Sequence, residues 1–183
     1  RLQQTMKKYI SLLIVMLFAI GPIQAKDWQG KWITSASCQS KTNTWLCFQK
    51  TVDLPVLGEN PIYADIAVDS KYWLWINGEL VVFEGGLKRG PNPRDTYYDH
   101  VDITSYLTEG KNDIAILMWY FGKDGFSHNS SGKAGLLFDC QTEHFKILSD
   151  DSWGCHYYTA YEETDGIQPN WRLPESNIRF NAQ

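Results

Sequence analysis

The residues able to do chemistry in this chain are carboxylates, a few histidines, four cysteines and many aromatics. There are 21 Asp and Glu residues, enough for glycoside hydrolysis, which commonly uses an acid and a base or nucleophile held a fixed distance apart. No Asp/Glu pair stands out by motif. There is also no Ser nucleophile elbow, no His-rich metal motif and no phosphate-binding Gly loop. Gly85-Gly86 is better explained as a strand-ending turn. His128 has no partner motif and reads as an ordinary surface or loop histidine.

Sugar binding suits the residues better. An aromatic face covers the apolar C–H face of a sugar ring, and planar polar groups take its hydroxyls. Tyr97, Tyr98, Trp119, Tyr120, Phe121 and Phe126 supply faces; Asp99 and Asp124 add polar groups to the set that follows. The sugar-binding candidates are Lys88, Arg89, Asn92, Arg94, Asp95, Tyr97, Tyr98, Lys123 and Phe126, and no residue is assigned to catalysis or metal binding. The loops 88–99 and 122–132 are expected to meet at one rim. The plainer reading makes strand aromatics such as Trp73, Trp75 and Trp119 core. It makes Lys88, Arg89 and Arg94 a solvated or salt-bridged surface. Tyr97 and Phe126 lie in loop-like sequence and are the better surface candidates.

Calcium needs clustered oxygen ligands. Asn92, Asp95, Asp99 and Asp102 are near in sequence but match no loop signature, so no cofactor is assigned and Ca²⁺ stays a minor option. Asn129-Ser130-Ser131 fits a glycosylation sequon. Cys38, Cys47, Cys140 and Cys155 allow three pairings. Short loops favour Cys38–Cys47 with Cys140–Cys155, while free thiols used as small core residues fit equally well. A zinc site is weak without close Cys-x-x-Cys or Cys/His spacing.

The elements that would position these groups are strands. The runs 63–68, 72–76, 80–83, 114–120 and 134–139 are rich in Val, Ile and aromatics and are separated by turn residues. Asn77-Gly78, between Trp73-Leu74-Trp75-Ile76 and Leu80-Val81-Val82-Phe83, predicts a tight hairpin. Gly110-Lys111-Asn112 and Asp150-Asp151-Ser152 mark further turns. Only 103–107 hints at a helical turn, capped by Asp102 or Thr104. Many short strands with frequent turns predict an all-β jelly-roll sandwich of antiparallel strands.

Ahead of the strands, Met6-Lys7-Lys8, the apolar stretch 10–20 and Ala25 form a secretory signal pattern, with cleavage expected after Ala25. The apolar core is short for a membrane span of ~20 residues. Residues 1–25 are therefore set aside, 26–165 read as the sandwich, and 166–183 as a linker toward a further domain. Export to the periplasm or beyond follows, with no stable membrane span after cleavage. Net charge is −4, and no basic run remains after the signal, so a nucleic-acid partner is unsupported.

With the strands laid out, a resemblance becomes visible. Trp28-Gln29-Gly30-Lys31-Trp32-Ile33 resembles the opening of mature rhamnosidases of glycoside hydrolase family 78, and Phe48-Gln49-Lys50 their second strand. Asp69-Ser70-Lys71-Tyr72-Trp73-Leu74-Trp75-Ile76-Asn77-Gly78-Glu79 resembles a stretch shared by their N-terminal domains and by the sugar-binding domain of β-galactosidase-type enzymes. Gly85-Gly86-Leu87-Lys88-Arg89-Gly90-Pro91-Asn92-Pro93-Arg94-Asp95, Tyr97-Tyr98-Asp99, Val101-Asp102-Ile103-Thr104-Ser105-Tyr106-Leu107 and Trp119-Tyr120-Phe121-Gly122-Lys123 follow in the order of Bacteroidetes-like proteins of that family. Ser149-Asp150-Asp151-Ser152-Trp153 resembles a later hairpin.

The resemblance implies a galactose-binding-like sandwich, N-terminal to a helical (α/α)₆ barrel that carries the catalytic carboxylates. Nothing here matches that barrel, so a fragment of a secreted α-L-rhamnosidase, inactive alone, is expected. Its partners would be rhamnose-containing glycans and the downstream catalytic domain, onto which the Arg-rich loop could also pack. A purely structural domain and a free-standing lectin-like protein are the alternatives. Related rhamnose-binding sandwiches use Ca²⁺ beside the sugar, which is why that ion stays in view.

Overall fold

The computed structural model describes residues 26–38, 40–87, 96–125, 128–164 and 178–182. Eleven strands run in chain order: β1 Thr44–Leu54, β2 Tyr63–Asp69, β3 Lys71–Ile76, β4 Glu79–Gly86, β5 Asp99–Asp102, β6 Gly110–Tyr120, β7 Gly135–Gln141, β8 Lys146–Leu148, β9 Gly154–Tyr157, β10 Tyr161–Glu163 and β11 Ile178–Phe180. A single 3₁₀ turn, Thr104–Tyr106, separates β5 from β6. The strands form a five-stranded sheet of order β4-β3-β6-β1-β9, a four-stranded sheet of order β5-β2-β7-β8, and the pair β10-β11. Every pairing is antiparallel, so the expected all-β sandwich is the fold.

Alternation builds the core. Leu46, Phe48 and Leu54 of β1, Leu74 and Ile76 of β3, and Ile114, Ile116 and Met118 of β6 point from one sheet; Ala64, Ile66 and Val68 of β2 and Leu136 and Phe138 of β7 point from the other. Side chains two apart share a face, so each strand delivers every second residue to this layer. Burying each large aliphatic one is worth about 1.5–3 kcal/mol.

Asn77 and Gly78 close the β3–β4 hairpin at φ 52° and 84°, the positive values a two-residue type I′ turn requires. Asn77 Nδ2 also donates to Tyr106 O and Asn112 Oδ1, and Asn77 Oδ1 accepts from Asp113 N. The turn is thereby pinned to the start of β6. The helical hint at 103–107 becomes the 3₁₀ turn, entered through Asp102 Oδ1, which accepts from Thr104 N at 3.0 Å.

Two expectations change. The chain around Asp150-Asp151-Ser152 is no hairpin: β8 belongs to the four-stranded sheet and β9 to the five-stranded one, so it is a corner between the layers. Gly110, at φ 84°, is the first residue of β6 and pairs with Leu54, so the expected turn sits at the entry of that strand. In the stretch expected as a linker, Ile178–Phe180 pairs with Tyr161–Glu163. All four cysteines are free thiols. The signal residues 1–25 lie outside the described residues, among which no helix is long and apolar enough to cross a membrane.

The N-terminal strap lies along β7 and β8. Asp139 Oδ2 accepts from Gln29 N at 2.7 Å and Gly30 N at 3.1 Å. Lys31 N donates to Ser149 O, and Ile33 bridges Leu136. Gly30 is required by space: a Cβ there would sit 2.5 Å from Phe138 O. Burial alone would raise the Asp139 carboxyl, but the hydrogen bonds from Gln141, Gln29 and Gly30, with Lys26 nearby, hold it below its ordinary value.

Candidate functional site

One end of the sandwich collects the loops. There β1, β3, β5 and β7 begin and β2, β4 and β6 end, so the segments 34–43, 69–71, 96–98 and 121–134 converge. They enclose an open cavity of about 600 Å³. Trp32, Thr34, Cys38 and Ser40 form its strap side, and Thr96, Ser131 and Lys133 face them from the two loops. Trp32 is 53% exposed. Ile33 takes the inward position through its bridge to Leu136, which leaves Trp32 on the outer side. An exposed indole beside hydroxyls and an ammonium is the combination that covers a sugar face and bonds its hydroxyls.

The Ser131 side of the cavity is held by Asp69, at the end of β2 and 1% exposed. Its Oδ2 accepts from Ser131 N and Ser131 Oγ, both at 2.7 Å. Its Oδ1 accepts from Ser70 Oγ at 2.6 Å and lies 3.4 Å from His128 Nε2. Burial alone would raise the Asp69 carboxyl, yet the hydrogen bonds from His128, Ser70 and Ser131 outweigh it and hold its pKa at about 2. The loop 128–131 is therefore tied to a buried carboxylate.

Asp69, Ser70 and His128 do not form a nucleophilic triad. Ser70 Oγ gives its proton to Asp69 and accepts from Phe121 N at 3.1 Å. Asp69 and Ser70 both address the same imidazole nitrogen, Nε2, whereas a triad places them on opposite nitrogens. Ser70 is fully buried. Its hydroxyl proton being committed, Nε2 carries the hydrogen; Nδ1 is buried without a partner among the described residues. His128, at 5% exposure, is thus a structural histidine; it lies in a loop, one of the two places expected, but not at the surface.

Of the two loops expected to meet, Thr96 of 88–99 and Ser131 of 122–132 line this same cavity, with Lys133 just beyond the second. Tyr97 stands 58% exposed beside Thr96. Tyr98 packs edge-on against Trp28 at 5.3 Å, with the Lys26 ammonium 4.8 Å from the Trp28 ring. Lys123 is half-buried in the second loop. Lys88, Arg89, Asn92, Arg94, Asp95 and Phe126 lie outside the described residues. Trp119, Tyr120 and Phe121, offered as sugar faces, are buried and cannot stack on a ligand. Asp99 Oδ2 accepts from Tyr72 Oη and Gly86 N, and Asp102 holds Thr104; Asn92 and Asp95 of the same candidate group lie outside the described residues. Trp32, Ser131 and Lys133 escaped sequence reasoning. The one available signal was the in–out alternation of Trp32-Ile33.

A second surface lies on the outer face of the five-stranded sheet. Trp45 stacks on Trp119 at 4.7 Å, on Tyr161 of β10 at 4.2 Å and on Trp73 at 5.6 Å. Trp75, Leu80 and Phe83 extend this apolar face, and Phe83 is 70% exposed. Trp73, Trp75 and Trp119 were expected in the core. Trp119 is core, buried with Trp45 and Phe121 in a second cluster on the far side of the sheet, whereas Trp73 and Trp75 are only half-buried.

No protein-family model and no curated protein sequence matches the chain. Solved structures do. A GH78 family rhamnosidase of Bacillus sp. GL1 superposes with a TM-score of 0.67 at 29% identity, over 75% of this chain and 14% of that one. The α-L-rhamnosidase from Dictyoglumus thermophilum gives 0.55 at 21% identity, over 71% and 17%. That from Streptomyces avermitilis, complexed with L-rhamnose, gives 0.53 at 19%, over 84% and 14%. The chain therefore spans less than a fifth of these enzymes. It is similar, in fold and against the Bacillus enzyme also in sequence, to a β-sandwich portion of α-L-rhamnosidases of glycoside hydrolase family 78.

Proposed function

We propose that this chain is a non-catalytic, exported domain of a larger α-L-rhamnosidase that contacts rhamnose-containing glycans at the rim cavity. The observation that carries the reading is the exposed Trp32 indole, which with Ser131 and Lys133 lines a cavity large enough for a sugar ring. The likeness to rhamnosidases supports the substrate class. Asp69 contributes by holding the 128–131 loop, and Tyr97 extends the aromatic rim. In this reading the chain supplies binding, and hydrolysis belongs to the remainder of a longer polypeptide.

Calorimetry of the full chain with L-rhamnose and rhamnosyl oligosaccharides, with and without Ca²⁺, tests this. Weak binding is expected, at least tenfold weaker in Trp32→Ala and reduced in Tyr97→Ala and Arg94→Ala. Because Trp32 is exposed, its loss should leave the unfolding midpoint unchanged. No heat with any of these sugars would overturn the sugar-contact reading. No turnover of an aryl rhamnoside is expected; nitrophenol release by the purified chain would overturn the non-catalytic assignment.

A second reading is favoured by the outer aromatic face. An apolar sheet face with Phe83 70% exposed is the kind of surface that packs against another domain. In that case the domain's main role is structural support of the catalytic barrel. Coding sequence continuing in frame beyond Gln183 into a helical domain would remove the free-standing lectin alternative.

A further inference from the structure

β9 is the outermost strand of its sheet and pairs with β1 in the register Leu46↔Tyr157, Cys47↔His156 and Phe48↔Cys155. Leu46 and Phe48 point into the core. Cys155 and Tyr157 therefore share the inner face of β9, and Cys47 and His156 lie on the outer face. The strap segment that walls the rim cavity runs past this inner edge. Tyr157 Oη donates to Ser37 O at 3.1 Å, one residue before Cys38. Cys38 and Cys155 both pack, half-buried, against the same core layer.

We infer that Cys38 and Cys155 are a disulfide-forming pair, and that their oxidation latches the wall of the rim cavity to the edge strand β9. The other pairings are disfavoured by direction. A disulfide needs Cβ atoms about 3.5–4.5 Å apart with converging vectors. Cys47 and Cys155 sit on adjacent strands but on opposite faces of the sheet, so their Cβ bonds diverge. Cys140 is fully buried in the other sheet, in register with Ala64 and Ile147.

The two thiols are also chemically unequal. Burial alone would raise Cys38, but hydrogen bonds from Ser40 N, Thr34, Tyr157 and the Ser40 hydroxyl outweigh it and lower its pKa. Burial, with Cys38 and Cys47 nearby, pushes Cys155 up to about 12. Cys38 also lines the cavity, so a reagent can reach it. The Cys38 thiolate attacks one sulfur of an oxidant disulfide such as oxidised glutathione, forming a mixed disulfide and releasing one glutathione thiolate. Cys155 then loses its proton and attacks the Cys38 sulfur. The Cys38–Cys155 bond forms, the mixed bond breaks and a second glutathione leaves. Two protein thiols are oxidised and one glutathione disulfide is reduced.

Tryptic mapping tests the pairing cleanly, because each cysteine falls on its own peptide: Cys38 on 32–41, Cys47 on 42–50, Cys140 on 134–146 and Cys155 on 147–172. The full chain is equilibrated with oxidised glutathione under native conditions, quenched with acid, alkylated in denaturant and digested. The expected result is a linked 32–41/147–172 species lighter by two hydrogens, with 42–50 and 134–146 alkylated. Cys47→Ser should keep the link, and Cys155→Ser should leave Cys38 as a glutathione adduct. A link between any other two peptides, or alkylation of all four cysteines, would overturn the inference. No sugar enters this measurement, so its outcome is separate from that of the carbohydrate reading.

Discussion

Replacing Asp69 by Asn removes one negative charge from a site 1% exposed and swaps an acceptor oxygen for a donor amide. Oδ2 takes two short bonds from Ser131, and Oδ1 takes one from Ser70. An amide satisfies only one of these sides. The depression of the carboxyl pKa from 3.8 to about 2 corresponds to about 2 kcal/mol of preference for the ionised form. An orphaned buried N–H adds about 1–3 kcal/mol. Asp69→Asn should therefore cost about 3–5 kcal/mol, or about 1.5–2.5 M in urea midpoint for a denaturant slope near 2 kcal/mol/M.

The pH dependence gives the sharper test. Because the folded-state pKa is depressed, the carboxylate's stabilisation is fully present above its unfolded value near 4. It is lost as the pH falls through about 2. The asparagine does not titrate, so the gap between the two proteins should narrow from pH 4 down to pH 2. The other depressed carboxylates, Asp139 and Asp150 among them, titrate in both proteins and cancel in the difference. Urea unfolding of both proteins at pH 7, 4, 3 and 2 measures it. A gap below about 0.5 kcal/mol at pH 7, within the range of ordinary surface substitutions, would refute the anchoring role. So would a gap that does not change with pH.

Gly30→Ala should destabilise by about 1–3 kcal/mol through overpacking, since the new Cβ meets Phe138 O at 2.5 Å and Ser149 Oγ at 3.0 Å. It should also weaken sugar binding, because the same strap carries Trp32; a variant as stable as the parent would show that the strap gives freely. Phe48→Ala should cost about 3–5 kcal/mol and Phe83→Ala within about 0.5 kcal/mol, by thermal or urea unfolding, because Phe48 is fully buried and Phe83 is 70% exposed. Similar losses for the two would contradict the assignment of inner and outer faces.

Much of the sheet architecture was legible in the amino-acid order. The β-rich runs became β2, β3, β4, β6 and β7, and Asn77-Gly78 became the hairpin turn, because period-2 alternation and positive-φ residues act locally. Alternation tells which side chains share a face, but not which face meets the other sheet. Where one face is polar the choice is obvious. At the rim ends of β1, β3 and β6 both faces are apolar: Leu46, Leu74 and Met118 go to the core, while Trp45, Trp73 and Trp119 go to the far side. Only the packing of the second layer decides between them.

The same limit applies to the candidate site. The sequence by itself determined the strand pattern, the tight hairpin and the two loops that carry Tyr97 and Lys123. The tertiary structure decided that the buried Asp69, Ser70 and His128 hold Ser131 at the cavity rim, that Trp32 and Lys133 line one cavity, and that Cys38 and Cys155 pack against the same core layer. Those pairs are distant along the chain and meet through the register of antiparallel strands and the crossing from one sheet to the other. Such contacts depend on how whole strands stack, and no local pattern of residue types encodes that.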